Sequence, residues 1–144
     1  EVSLDEIVTS SIKNIAPLCD LKNITIIKNL EPGIKINCDL NWQVEAITNI
    51  LKNCVEHSKE NSKIDITTAT NKVYHSIKIR DYGTGISKKD LPHIFERFYK
   101  GASSSSNSIG IGLSLAQKII ESNDGLINVE TGSDGTTFTI KYLI

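Results

Sequence analysis

The sequence predicts an α+β fold, a two-layer α/β sandwich whose mixed, mostly antiparallel sheet is covered on one face by three main helices. Three observations carry this. Six segments, short ones included, read as strands, several with apolar residues at alternate positions. Three stretches repeat apolar residues at helical spacing. The strands are ordered as hairpins rather than βαβ units, which favours antiparallel pairing with the helices on one side. A length of 144 residues suits one domain, 1–144, with a core of its own.

The first helix opens at Ser3-Leu4-Asp5-Glu6, an S-x-x-E capping box. Leu4, Ile7, Val8, Ile12, Ile15 and Leu18 then share one stripe, and Pro17 is expected to kink the helix or loosen its last turns. Ile24–Leu30 reads as a strand, Glu31-Pro32-Gly33 as a turn and Lys35–Cys38 as a short strand. Asp39 is a good N-cap for the second helix, with Leu40, Val44, Ile47, Leu51 and Cys54 on its buried stripe. Asn49 and Asn53 lie four apart on a different face, near Trp42 and Ala46. Each Asn costs about 0.5 kcal/mol relative to Ala in a helix. That pair reads either as a solvated face or as a polar face kept for a ligand.

Lys63–Thr70 alternates around Ile64, Ile66 and Thr68, and Asn71-Lys72 has the length of a two-residue hairpin turn. In the next strand Val73, His75, Ile77 and Ile79 alternate with Tyr74, Ser76, Lys78 and Arg80, and Asp81 continues the apolar face. A carboxylate pointing toward a core must find hydrogen-bond donors or it is costly to bury. Gly83 and Gly85 follow, leaving room for a ligand close to the backbone. One buried acceptor beside open backbone suits a flat, amine-bearing group such as adenine. The plainer reading is a strand ending in a Gly-rich turn.

Ser87-Lys88-Lys89-Asp90 caps a short helix through Ile94 and Phe95, and Phe95, Phe98 and Tyr99 read as a small satellite core. The stretch 101–108, Gly-Ala followed by Ser and Asn, cannot bury anything and is expected to be a mobile lid. It runs into Gly110-Ile111-Gly112-Leu113, where the third helix starts, with Leu113, Ala116, Ile119 and Ile120 on its stripe. A glycine turn opening onto a helix N-terminus offers free N–H groups to phosphate. The helix stops near Asn123-Asp124-Gly125, Gly125 suiting a left-handed cap. Ile127 and Val129 mark a strand, Ser133-Asp134-Gly135 a hairpin turn, and Phe138, Ile140 and Tyr142 the last strand.

Net charge is −1, with 39% hydrophobic and 23% charged residues, so bulk charge does not point to nucleic acid or a membrane surface. No apolar run approaches a spanning helix, and no signal peptide is evident. Cys19, Cys38 and Cys54 are scattered, with no CxxC, and read as small buried hydrophobes of a reduced, cytoplasmic protein. The chain opens at Glu1 and holds no methionine, so it is expected to be a piece of a longer protein.

In their order and spacing these motifs resemble the ATP-binding catalytic domain of two-component sensor histidine kinases, a family of the superfamily shared with gyrase, the MutL repair proteins and the heat-shock chaperone ATPases. Asn49-Ile50-Leu51-Lys52-Asn53-Cys54 resembles the N box, and Asp81-Tyr82-Gly83-Thr84-Gly85-Ile86 the first G box. Residues 91–100, from Leu91-Pro92-His93 to Phe98-Tyr99-Lys100, closely match the F box. Ser108-Ile109-Gly110-Ile111-Gly112-Leu113 resembles the second G box, and Gly135-Thr136-Thr137-Phe138 the closing G-T-x-F. The likeness spans nearly the whole chain and implies a Bergerat-type ATP-binding fold.

The resemblance implies roles. Asp81 binds the adenine amino group, with Thr136 supporting it through a water. Asn53 ligates Mg²⁺ through its side-chain oxygen, a hard ligand suited to that ion. Gly110 and Gly112 offer N–H groups to the phosphates, and Arg97 or Lys100 reaches phosphate oxygens. His57 stands beside the adenine, where the family often has Tyr. Asn49, Gly83, Gly85, Ile86, Ile111 and Leu113 complete the nucleotide-contacting set. Three departures matter. Glu56 stands where the family commonly has a phosphate-contacting Lys. Ser108 replaces the first glycine of the second G box. The lid is short and Ser-rich.

The superfamily's hydrolases carry a Glu at the position of Asn49, and an amide cannot act as that base. The resemblance thus implies transfer of the γ-phosphate of Mg-ATP to a histidine on a separate helical dimerisation domain within a homodimer, and onward signalling to a response regulator. His57, His75 and His93 do not sit in that domain's motif. The implied setting is the cytoplasmic part of an integral membrane sensor, attached through upstream segments. A serine kinase of the anti-sigma type, on the same fold, and a nucleotide-binding module without catalysis are the alternatives.

Overall fold

A computed structural model of the chain describes residues 1–99 and 112–144. The elements run β1 (Val2–Ser3), α1 (Leu4–Lys22), β2 (Thr25–Asn29), β3 (Lys35–Ile36), α2 (Leu40–His57), β4 (Lys63–Thr70), β5 (Tyr74–Asp81), a single 3₁₀ turn (Leu91–His93), α3 (Gly112–Ser122), β6 (Gly125–Gly132) and β7 (Gly135–Leu143). The main sheet has five strands in the order β2-β4-β5-β7-β6. Three of its pairings are antiparallel, as expected. The edge pair β2–β4 is parallel, with Thr25 opposite Lys63 and Asn29 opposite Thr67. α2 is the crossover between those two strands, so the chain does contain one βαβ unit beside its hairpins.

The helices share one core with the sheet. Ile64 and Ile66 of β4, Ile77 and Ile79 of β5, and Phe138 and Ile140 of β7 are fully buried beneath them. Alternate positions on the same strands, such as Lys63, Lys78 and Thr139, face the other side. α2 is covered on two sides, packing against both α1 and α3. Ala46 and Ile50 are therefore fully buried as well as Ile47, Leu51 and Cys54, and the apolar stripe is wider than the sequence periodicity suggests.

Several local expectations change. Ser3 makes no side-chain cap. It lies instead in β1, which pairs with β3 as a separate two-stranded ribbon, and the Leu4 N–H donates to the Ile34 carbonyl. α1 runs through Pro17 to Lys22, with Pro17 on its exposed side. Asn23, in the left-handed region at φ 55°, ends that helix. At the end of α3 the left-handed residue is Asp124, at φ 57°, not Gly125. Gly125 opens β6 instead, where a Cβ would stand 2.7 Å from Ile120 Cγ2. The short helix after Ser87 contracts to the single turn at Leu91–His93, with the Asp90 N–H donating to Ser87 Oγ at 3.1 Å. Asn71 makes the hairpin turn through its side chain, accepting from the N–H groups of Val73 and Tyr74.

Candidate functional site

β5 ends on Asp81, and its inward parity holds: the residue is 2% exposed. Burial alone raises its pKa above the ordinary carboxylate value. Four partners pull the other way. Asp81 Oδ1 accepts from the Gly83 N–H and from the Thr136 N–H, each at 3.1 Å. The charge of His57 and a hydrogen bond from the Cys54 thiol add to these. Thr136 thus supports the carboxylate directly through its backbone N–H. Its hydroxyl pairs with Thr131 Oγ1 at 2.9 Å, and Thr131 Oγ1 also accepts from the Ile86 N–H at 2.8 Å. No basic side chain forms an ion pair with Asp81 among the described residues.

The glycines also have a packing use. A Cβ on Gly83 would stand 2.0 Å from the His57 carbonyl oxygen. One on Gly85, at φ 81°, would stand 2.1 Å from the Gly132 carbonyl oxygen. One on Gly135, at φ 141°, would stand 2.1 Å from the carbonyl oxygen of Asp81 itself. The missing side chains here let three segments of backbone close on one another around Asp81. The space beside these glycines on that side is filled by protein.

α2 lies over this strand end and carries Asn49, Asn53 and His57, all half-buried. Asp39 caps the helix, its carboxylate accepting from the Trp42 N–H at 3.0 Å. α3 begins at Gly112 beside Asn49, and a Cβ on that glycine would lie 3.8 Å from Asn49 Cγ. The first turn of α3, with Leu113 half-buried in it, is therefore brought against the Asn49 face of α2. The stretches around Asn49, Asp81 and Gly112, far apart in sequence, meet along one helix.

Arg97 is exposed, its guanidinium over the Phe98 ring at 5.0 Å. Phe98 itself is 64% exposed at φ 66° and does not join a satellite core, whereas Phe95 packs against the main one. Tyr99 donates to Asp90 Oδ1 and stacks on His93. Lys100, Gly110, Ile111 and the lid at 101–108 lie outside the described residues. An open cleft of about 650 Å³ adjoins the site, lined by Gly85, Ile86, Lys88 and Asp90 on one side and Thr131 and Ser133 on the other.

Three residues at this site escaped the sequence reading. Cys54 was assigned to the buried stripe, and its place immediately after Asn53 was the available signal that it reaches Asp81. Burial, then the neighbouring Asp81, push its thiol well up, so it stays neutral and donates. Thr131 is tied in only by cross-strand register, opposite Thr136, and no sequence pattern announces it. Lys22, at the end of α1, donates to three carbonyls at the end of α2.

The family described as histidine kinase-, DNA gyrase B-, and HSP90-like ATPase matches residues 38–143. The chain is 32% identical to the heme sensor protein HssS of Staphylococcus saprophyticus, over 99% of this chain and 31% of that protein. It is 36% identical to the signal transduction histidine-protein kinase ArlS of Staphylococcus aureus, over 92% of this chain and 29% of that one. The chain thus spans about a third of the length of these relatives. Among solved structures, a mycobacterial sensor histidine kinase, MprB, superposes with a TM-score of 0.86 at 21% identity, over 99% of this chain and 96% of that chain. That last likeness concerns the fold, which is the α+β sandwich expected from the sequence.

Proposed function

The chain belongs to the histidine kinase-, DNA gyrase B- and HSP90-like ATPase family, and from that premise we propose that it binds Mg-ATP and donates the γ-phosphate to a histidine on a separate helical dimerisation domain of a sensor histidine kinase. The observation that carries the reading is the buried Asp81 carboxylate, held by two backbone N–H groups and the Cys54 thiol, with the charge of His57 nearby and no salt bridge to it among the described residues. An ionised carboxylate accepts only, so it favours the amino group of adenine over the carbonyl of guanine.

The remaining residues divide the nucleotide between them. His57, Ile86 and the Gly83–Gly85 loop flank the base. Asn49 and Asn53, one helical turn apart on α2, face the phosphate end, where Gly112 opens α3. Gly110 and Ile111 are assigned to the phosphates as well, by the motif they belong to, and Leu113 packs at the start of α3. Arg97 and Lys100 supply positive charge to the phosphates. The amide oxygens of Asn49 and Asn53 are hard donors, and this donor set fits Mg²⁺, with Asn53 as the protein ligand. When bound, Mg²⁺ offsets phosphate charge as it builds up during transfer. Asn49 has no titratable base with which to activate water, so the site holds ATP for an external nucleophile rather than hydrolysing it.

That nucleophile is absent from the three histidines of this chain. His75 Nδ1 pairs with Thr70 Oγ1 at 2.7 Å, His93 Nδ1 pairs with Glu96 at 2.6 Å, and His57 ends α2 beside Asp81. In this reading the partners are the phosphoacceptor domain, within a homodimer, and a response regulator, and the chain works on the cytoplasmic side of a membrane sensor. The test supplies labelled Mg-ATP to the chain alone and then with a separately produced phosphoacceptor domain. Label is expected on that domain only. Incorporation into the isolated chain, or none into the added domain despite nucleotide binding, overturns the assignment.

A further inference from the structure

We propose that Lys22 is a positioning residue for the nucleotide site, acting through the C-terminus of α2 on the backbone contact between His57 and Gly83. A helix leaves its last carbonyls without partners inside the helix, and each needs one. Here they can be followed one at a time. Cys54 O accepts from Ser58 Oγ at 2.6 Å. Val55 O accepts from the Ser58 N–H at 3.2 Å and from Lys22 Nζ at 2.9 Å. Glu56 O and Ser58 O each accept from Lys22 Nζ at 3.0 Å. An ammonium has three N–H bonds, and each finds its own carbonyl. The positive charge also opposes the negative end of the helix dipole.

The remaining carbonyl, that of His57, has its oxygen 2.0 Å from where a Cβ on Gly83 would stand. Gly83 gives its N–H to Asp81, two residues back. The Lys22 ammonium therefore holds the end of α2 in the conformation that seats His57 against the loop following Asp81. Asn53 lies on the same helix one turn earlier. The contact thereby sets the separation between Asp81 and Asn53, which on the reading above grip the base and the phosphate ends of the nucleotide. Lys22 is itself anchored, since its carbonyl accepts from the Asn61 N–H at 2.9 Å. One cation joins the end of α1, the end of α2 and the segment entering β4.

This proposal rests on the nucleotide reading and is tested so that the two fail separately. Mg-ATP is titrated calorimetrically into the wild-type chain, Lys22→Met and Lys22→Arg, and amide exchange at Gly83 and Thr136 is followed without nucleotide. Lys22→Met keeps the apolar stem and removes the donors. It is expected to bind about tenfold more weakly, with faster exchange at both amides, while Lys22→Arg stays within about threefold of wild type. Should Lys22→Met fail to fold, Lys22→Gln, which keeps an amide donor, is expected to fold and to lose at least about threefold. A folded Lys22→Met or Lys22→Gln with wild-type affinity overturns the proposal, as does weakened binding with unchanged exchange and no rescue by Arg. A wild-type chain that takes up no Mg-ATP removes the nucleotide reading itself, and this proposal with it.

Discussion

The carbonyl oxygen of His57 sits 2.0 Å from the point where a Cβ on Gly83 would stand. The end of α2 and the loop leaving β5 are thus in backbone contact, and no side chain fits between them. Gly83→Ala forces the two apart, in a place where the neighbour is backbone and cannot swing away. Gly33 is the control: at φ 82° it has nothing within 4 Å of its would-be Cβ, so alanine there meets only the left-handed backbone penalty. Gly33→Ala is expected to cost about 1 kcal/mol and Gly83→Ala about 3 kcal/mol in urea unfolding. Mg-ATP binding should survive the first and be lost in the second. Equal costs for the two would show that the contact yields easily.

Asp81→Asn separates function from stability. The substituted amide is nearly isosteric, and its oxygen still accepts from Gly83 and Thr136. Its NH₂ group then replaces an acceptor, so a donor meets the amino group of adenine. The desolvation cost of a buried charge disappears at the same time. Nucleotide binding is expected to fall at least about a hundredfold, with the unfolding midpoint equal to or above that of wild type. Calorimetric titration and thermal unfolding of the same preparation check both halves.

What was legible beforehand follows from where the information lies. The strand parity of Val73, His75, Ile77 and Ile79 places Asp81 correctly, because a period of two is a local property. The stripe of α2 is local as well, and so is the face shared by Asn49 and Asn53. A mixed sheet was expected, but β2–β4 was not singled out as its parallel pair, because direction depends on how α2 crosses over, not on any residue in Thr25–Asn29. Ser3 was read as a cap from its local pattern, and a long-range pairing with Lys35 overrode it. The glycines near Asp81 carry the sharpest lesson. Their absence of a side chain was read as space for a ligand; it also admits tight approaches by carbonyls of His57, Gly132 and Asp81, none of which sequence spacing identifies. Phe98, apolar but 64% exposed, shows that composition alone does not place a ring in a core.

A second buried polar contact lies away from the site and tests the core. The Tyr142 hydroxyl donates to Gln43 Oε1 at 2.8 Å, with both residues 2% exposed. Burial pushes the Tyr142 pKa far above the ordinary phenol value, so the ring is neutral and a donor at any working pH. Tyr142→Phe strands the Gln43 oxygen in the core and is expected to destabilise by about 2 kcal/mol. Pairing it with Gln43→Leu should recover more than half of that loss, since no orphaned acceptor remains. Chemical unfolding of the two single variants and the double variant measures the coupling.

The pH dependence of binding separates Asp81 from an ordinary surface acid. Its folded pKa lies above the usual 3.8 because of burial, against the pull of the Gly83 and Thr136 N–H groups, His57 and Cys54. The ionised form is the one that accepts the amino group of adenine. Affinity is therefore flat well above the raised pKa and falls as pH drops through it, by about tenfold per unit once below it. Stability moves the other way. The folded state binds the Asp81 proton more tightly than the unfolded state, so this residue's contribution rises as pH falls through the raised value towards 3.8. Asp81→Asn removes this residue's share of the stability change, while His57→Phe should move the loss of affinity to higher pH. Nucleotide titrations at successive pH values, with unfolding of the same proteins alongside, measure the two opposed slopes. A wild-type affinity that stays level until the ordinary carboxylate range would show that the Asp81 pKa is not raised in the working site.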